Sequence, residues 1–413
     1  MTSEKKNNGK TSQGGFYAFL ATLFLGAFND NVSKLLVICF GTAMLGTSSA
    51  GASAYLSLAA ACFILPYLLF STVAGYLADR FRKKTVMVWT KVAEILIMLM
   101  GVVLALKGMV YGLILVLFCM GAQSAFFSPA KYGFLPETHK PAQLPAANGA
   151  TQLWTFLAII FGGWTGGALA GFCGTERVAW GFVFCVAIAV LGTLTSFWIT
   201  PTPRQTADLK FQVRDPIRPH WRTFREIARC DRILLTAFLG NTLFWFLGTI
   251  AQLVLVLLAK DTLNGSDALV GRLQAVLGLG IGVGCVVAGK MGHGKIPYRL
   301  TIPGGAAMGI ALLLLGALGK VQFCVMLLLF LTGFSGGLFQ LPLTTAIQQR
   351  SPENARGRYL AAGNALDCIS MLCGSILLWL LRAIHIGPRG ILAVMGVILL
   401  AAILPLYKNL PQE

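Results

Sequence analysis

The sequence predicts an all-α membrane protein with twelve transmembrane helices in two groups of six. Two observations lead there. Hydrophobic residues form 56% of the 413-residue chain and charged residues only 12%, whereas a soluble domain is about 25% charged. The apolar residues also fall into runs near the roughly 20 residues that a helix needs to cross a bilayer.

Taken in order, the runs cover about residues 16–45, 54–78, 86–106, 109–135, 146–172 and 178–199, then 233–259, 268–289, 300–319, 321–347, 359–381 and 390–407. The fourth is the cleanest, because residues 108–130 carry no charge. Between the sixth and seventh lies a stretch rich in basic residues that also holds Pro201, Pro203, Pro216 and Pro219. It reads as a solvated cytoplasmic linker whose basic segments can lie against anionic lipid. The expected organisation is a disordered cytoplasmic N-terminus (1–15), an N-terminal six-helix bundle (16–200), the linker (201–232), a C-terminal six-helix bundle (233–407) and a cytoplasmic tail (408–413). The first apolar run is too long for a cleavable signal peptide and lacks a cleavage site.

A net charge of +18 would point to nucleic acid in a soluble protein. Its distribution argues otherwise. Alternating sides through the spans puts most Lys and Arg on one side: Lys5, Lys6 and Lys10, then Arg80 to Lys84, Lys131 and Lys140, the linker arginines, Lys290 to Arg299, Arg350 to Arg358, and Lys408. The positive-inside rule then places both termini in the cytoplasm, and no nucleic-acid partner is expected. The ten cysteines are scattered, mostly within apolar runs, with no Cys-x-x-Cys or Cys/His spacing. They read as small buried hydrophobes, and no metal or cofactor is expected.

Function is most concentrated in Gly26-Ala27-Phe28-Asn29-Asp30-Asn31-Val32-Ser33-Lys34, inside the first run. A carboxylate at membrane depth costs at least ~2.5–3.5 kcal/mol and marks a pathway or binding site by default. Asn29 and Asn31 flank Asp30, and Lys34 follows one turn later on the same face, at ion-pair spacing. Lys91 and Glu94 form a second in-span pair; being close to the basic loop before them, they read as support for that loop. Asn241, Gln340 and Asp367 are further polar candidates in the second half. Glycines crowd the fifth and eighth runs, where they permit close helix approach.

Between the second and third runs stands Gly75-Tyr76-Leu77-Ala78-Asp79-Arg80-Phe81-Arg82-Lys83-Lys84. Here an acid at a helix end precedes a basic cluster, suited to latching one side of a transporter in a single state. Gly75, Asp79, Arg80, Arg82, Lys83 and Lys84 are therefore candidate gating residues. The loop resembles the signature loop of the major facilitator superfamily. Its counterpart in the second half, Gly289 to Lys295, lacks the acid. Ser128-Pro129-Ala130-Lys131-Tyr132-Gly133 ends the fourth run, where Lys131 offers an ammonium to a phosphate and Tyr132 a ring at headgroup depth. The Ala-rich motif around Asn148 opens the fifth run and has a weak counterpart around Asn364 in the eleventh, consistent with internal repeats.

Phe28-Asn29-Asp30-Asn31, Ser128 to Gly133 and Ala147-Asn148-Gly149 together resemble the bacterial lysophospholipid transporter family, also found as the membrane domain of fused acyltransferase and acyl-activating proteins. Leu243 to Gly248, Ala259-Lys260-Asp261 and Gln348 to Pro352 extend the likeness, which runs from about Leu23 to Leu381. The resemblance implies a lysophospholipid substrate, chiefly of the ethanolamine type, moved to the cytoplasmic leaflet of the bacterial inner membrane for reacylation by a partner acyltransferase. It also implies functional roles for Asp30, Lys131 and Asn148. Some members carry a basic residue where this chain has Gln252.

The residue chemistry fits such a substrate. A lysophospholipid needs a cation for phosphate, an acceptor for its headgroup, and an apolar wall for one acyl chain. Lys34 or Lys131, Asp30, and Trp245 with its neighbouring phenylalanines answer these in turn. Membrane lipids are the other expected partners, and a monomer is expected. An acyltransferase is disfavoured: residues five after His139, His220, His293 and His385 are Leu144, Arg225, Tyr298 and Gly390, so no His-x4-Asp motif exists, and no P-loop is present. The remaining competitor is a superfamily member moving drugs or small polar solutes, with Asp30 as a proton site.

Overall fold

The computed structural model describes residues 13–46, 50–202, 218–264 and 267–411. Among them are thirteen α-helices, of which twelve are long and apolar enough to cross a membrane. The first six are α1 (Gln13–Leu45), α2 (Ala50–Arg80), α3 (Lys83–Leu106), α4 (Val110–Thr138), α5 (Leu144–Cys173) and α6 (Val178–Phe197). A short helix, α7 (Arg218–Cys230), follows. The remainder are α8 (Arg232–Leu257), α9 (Asp267–Met291), α10 (Thr301–Leu318), α11 (Gln322–Arg350), α12 (Arg356–Ala383) and α13 (Pro388–Asn409). A π-helical turn, Leu258–Thr262, prolongs α8.

The helices leave large apolar side chains facing outward, among them Leu106, Trp164, Phe172, Phe323 and Trp379. Water would not tolerate such a belt, but a bilayer does, because its hydrocarbon matches these side chains and the helices satisfy their own backbones. The molecule is a multi-pass membrane protein.

Contacts divide the chain into two compact units. One comprises residues up to His139, Ala158–Trp221 and Pro352–Ala362. There α2 packs on α4, while α3 packs on both α4 and α6 and α1 packs on α6. Its core holds Leu36, Met98, Leu113, Leu117 and Phe182. The other comprises Lys140–Leu157, Arg222–Ser351 and the residues from Gly363 on. Within it α9 packs on α11, and α10 on α11 and α13. The approach of α9 to α11 is close enough that a Cβ at Gly284 would stand 2.1 Å from the carbonyl oxygen of Phe334. Two segments thus pack away from the six-helix group of their own sequence half: the start of α5 with the later helices, and the start of α12 with the earlier ones.

Two local features depart from the sequence reading. Helix α4 does not end at Ser128 to Gly133; it runs through Pro129 and Pro136 to Thr138. Proline is tolerated inside membrane helices because neighbouring groups re-satisfy the freed carbonyls. The linker is also not wholly a tether, since α7 buries His220, Thr223 and Ile227 on one face and exposes Trp221, Arg222, Arg225 and Arg229 on the other. Asp231 accepts from the Leu234 N–H at 2.9 Å and so caps α8. Burial would raise its pKa, but that bond and the 2.8 Å bond from Arg350 Nε hold it below the usual carboxylate range.

Candidate functional site

The first unit holds a buried polar cluster at mid-helix in α1, α3 and α4. Helical spacing turns Asn29 inward, where it is fully buried, and leaves Asp30 and Asn31 half-buried. Asn29 Nδ2 donates to Glu94 Oε1 at 2.7 Å, and Lys91 Nζ donates to Glu94 Oε2 at 2.6 Å. Gln123 Nε2 reaches the same Oε2 at 3.4 Å. Ser124 Oγ stands 2.8 Å from Asp30 Oδ2 and 3.1 Å from Gln123 Oε1, joining the two carboxylates through α4. The ammonium of Lys91 also lies 5.3 Å from the centroid of Phe127. The pair read as loop support is therefore the centre of this cluster.

Asp30 and Lys34 do not form the ion pair that their spacing allows. No nitrogen–oxygen approach within 4.0 Å joins them; the Lys34 ammonium lies 5.8 Å from the centroid of Phe63 instead. Spacing brings two side chains to one face, but a half-buried Lys gains as much from the ring as from a carboxylate already bound by a hydroxyl. Asp30 Oδ1 and Asn29 Oδ1 are buried oxygens without a hydrogen-bond partner. Asn31 Nδ2 is taken by the Ala27 carbonyl at 2.7 Å. Lys131, buried, holds its ammonium 4.6 Å from the centroid of Tyr132.

The signature loop lies at the basic end of this unit. Asp79 is fully buried, and its two oxygens accept the N–H groups of Gly357 at 2.5 Å and Arg358 at 2.9 Å. These are orphan donors at the start of α12, where negative charge is favoured. The fit requires glycine, because a Cβ at Gly357 would stand 2.6 Å from Asp79 Oδ1. Gly75 is buried one turn earlier on the same helix. Lys83 is buried too, with Nζ 3.1 Å from Glu137 Oε1, 4.0 Å from Asp79 Oδ1, and bonded to the Ala78 carbonyl. Lys84 donates to the Phe197 carbonyl at 2.7 Å, Arg80 is exposed against Tyr76, and Arg82 is exposed ahead of α3. Glu137, at the end of α4, shares Lys83 with Asp79, a partner that the loop's own residue pattern does not signal.

In the second unit Asn148 is buried and exchanges two hydrogen bonds with Gln348, each 2.9 Å. One turn on, Gln152 Nε2 donates to Gln340 Oε1 at 3.1 Å. Gln340 continues to Asn241 at 3.3 Å, and Asn241 to Asp367 at 2.9 Å. Trp245 is half-buried against Phe244, and Gln252 is exposed.

The family model of the Major Facilitator Superfamily matches residues 18–375. The chain belongs to the major facilitator superfamily. Among individual proteins, this major facilitator chain is 28% identical over 404 residues to the lysophospholipid transporter LplT of Cronobacter sakazakii, covering 96% of this chain and 94% of that one. It is 26% identical over 409 residues to LplT of Klebsiella pneumoniae, covering 98% of each. A solved structure of the human organic anion transporter MFSD10 (TETRAN) superposes with a TM-score of 0.78 at 15% identity, covering 95% of this chain and 99% of that one. That likeness is one of fold.

Proposed function

We propose that this protein is a lysophospholipid transporter of the bacterial inner membrane, with both termini cytoplasmic, working by alternating access. One observation carries the reading. A buried Asp30 oxygen without a partner shares its unit with Lys34 and Lys131, two cations that face aromatic rings rather than carboxylates. A zwitterionic phospholipid headgroup supplies what each lacks: phosphate for the lysines, ammonium for Asp30. Intramembrane charges of this kind mark substrate pathways, and relatives similar over nearly the whole chain are named lysophospholipid transporters.

In this reading Asp79 on the start of α12, and Gln348 and Gln340 on the start of α5, are clasps at the cytoplasmic end that release during the cycle. Gly75, Arg80, Arg82, Lys83 and Lys84 support the first clasp, and Asn148 belongs to the second. Delivered lysolipid would be reacylated by a separate acyltransferase, and the protein would act as a monomer. The test is uptake of radiolabelled lysophosphatidylethanolamine into the inner leaflet of proteoliposomes, run beside a panel of drugs and small polar solutes. Lysolipid movement without solute uptake supports the reading. Solute uptake without lysolipid movement replaces it with a solute carrier.

A further inference from the structure

We propose that Asp367 is a proton-binding site whose state is transmitted to α5 through a chain of side-chain amides. The inference rests on the transporter reading above for its purpose but not for its geometry. Asp367 lies midway along α12, and no Lys, Arg or His of the described residues pairs with it. Along its own helix Arg358 and Arg382 are about 13 Å or more away by helical rise. A carboxylate at such depth without a cation is costly, so it must either take a proton or receive a charge from elsewhere.

Its partners suit proton exchange. Thr242 Oγ1 stands 3.0 Å from Asp367 Oδ1, and a hydroxyl can donate to the carboxylate or accept from the acid. Asn241 Nδ2 donates to Oδ2 at 2.9 Å in either state. The site is therefore satisfied with or without the proton. Among the described residues, the groups that face it from other helices do not titrate: α8 presents Asn241 and Thr242, and α11 stands behind them with Gln340 and Thr344. On its own helix the neighbouring groups are Ser370 and the buried thiol of Cys368.

The amides give the site its reach. Gln152 of α5 donates to Gln340 of α11 at 3.1 Å, Gln340 donates to Asn241 of α8 at 3.3 Å, and Asn241 donates to Asp367 of α12. Every N–H points toward the carboxylate, so the dipoles add head to tail and a negative charge at Asp367 strengthens each bond upstream. An ionised Asp367 holds α5 on α11. When the carboxylate takes a proton, the pull on Asn241 falls, the chain weakens, and the Gln152 contact, one of the two amide contacts that hold the start of α5 on α11, loosens. Proton entry is thereby tied to loosening of a clasp.

The full-length protein is purified and titrated by infrared spectroscopy without lipid substrate, following the carbonyl stretch of protonated carboxylic acids. The wild type should show a titrating band that is lost in Asp367→Asn and kept in Gln152→Leu. In proteoliposomes, an imposed pH gradient should accelerate lysophosphatidylethanolamine movement by the wild type and by neither variant. A set of titrating bands in Asp367→Asn identical to that of the wild type, or a gradient response equal to wild type in that variant, overturns the proposal. Asp367→Glu keeps the acid and guards against misfolding: it should shift the band, and an unshifted band also overturns the proposal. If no form moves lysolipid, the substrate assignment fails while the infrared band still decides the proton site.

Discussion

Asn29 Nδ2 donates to Glu94 Oε1 at 2.7 Å, tying the helix of Asp30 to the helix of Lys91. With Lys91 and Gln123, the bond makes Glu94 the shared acceptor of side chains on α1, α3 and α4, and Lys91, 2% exposed, has no other carboxylate within 4.0 Å among the described residues. Replacing Glu94 with Leu strands that ammonium. Removing one partner of a buried pair costs ~3–5 kcal/mol, while removing both is often neutral. Glu94→Leu should unfold well below wild type in a thermal scan, and Glu94→Leu/Lys91→Met should recover most of the loss. Equal stability of wild type and single variant would show the pair to be idle.

Asp30→Asn separates charge from shape. The asparagine oxygen still accepts from Ser124, so the variant should fold and insert as the wild type does. Lysolipid movement should fall at least about tenfold, equivalent to about 1.4 kcal/mol of lost interaction. Asp30→Leu/Lys34→Leu removes both charges and should be inactive as well, though monodisperse. Activity at the wild-type rate in that double variant would reduce both residues to structure and leave Lys131 as the cation to test.

The spans and the signature loop were legible because both depend on local composition: apolar length reports the bilayer, and an acid between a helix end and a basic run reports a turn. Glu94 was not, since its value comes from Asn29 on a distant segment and its own neighbourhood advertises only a basic loop. The Asp30–Lys34 spacing misled for the same reason. Ser124 and Phe63, both remote in sequence, decide where those two side chains go. Helix α7 did leave a signal, with His220, Thr223, Phe224 and Ile227 recurring at helical spacing, but the surrounding prolines and arginines obscured it.

Asp79→Asn tests the first clasp. An amide can present one oxygen and one NH2, so either Gly357 or Arg358 loses its acceptor, and an unsatisfied buried donor costs ~1–3 kcal/mol. Lysolipid binding should persist while turnover falls, because the loss falls on the contact that holds the start of α12. Normal transport by the variant at equal expression would remove Asp79 from the cycle.

The second clasp is probed through its amide pair. Asn148→Leu leaves both polar ends of Gln348 short of partners, at a similar cost of ~1–3 kcal/mol. Asn148→Leu/Gln348→Leu replaces both by apolar groups, which can be nearly neutral for stability. Thermal scans should therefore rank the double variant above the single. The reverse order would mean that Gln348 finds other partners when Asn148 is gone.

His220 gives the prediction in pH. Its Nε2 lies 2.7 Å from Ser71 Oγ and 3.0 Å from Thr72 Oγ1 on α2, and burial pushes the imidazole down from 6.5 to about 4. The docked ring is neutral, whereas an undocked ring takes a proton at its ordinary pKa. The docked form is thus fully favoured above about 6.5 and loses its advantage as pH falls toward about 4. At about pH 5 the loss amounts to about 2 kcal/mol. Hydrogen exchange of the α7 peptide, corrected for intrinsic rates, should show protection falling between neutral pH and about pH 5, the interval in which only the undocked ring gains its proton. His220→Gln keeps a hydrogen-bonding group against Ser71 but does not titrate, so its protection should stay level over the same interval. Parallel losses in both proteins would assign the change to some other group and leave His220 a packing residue.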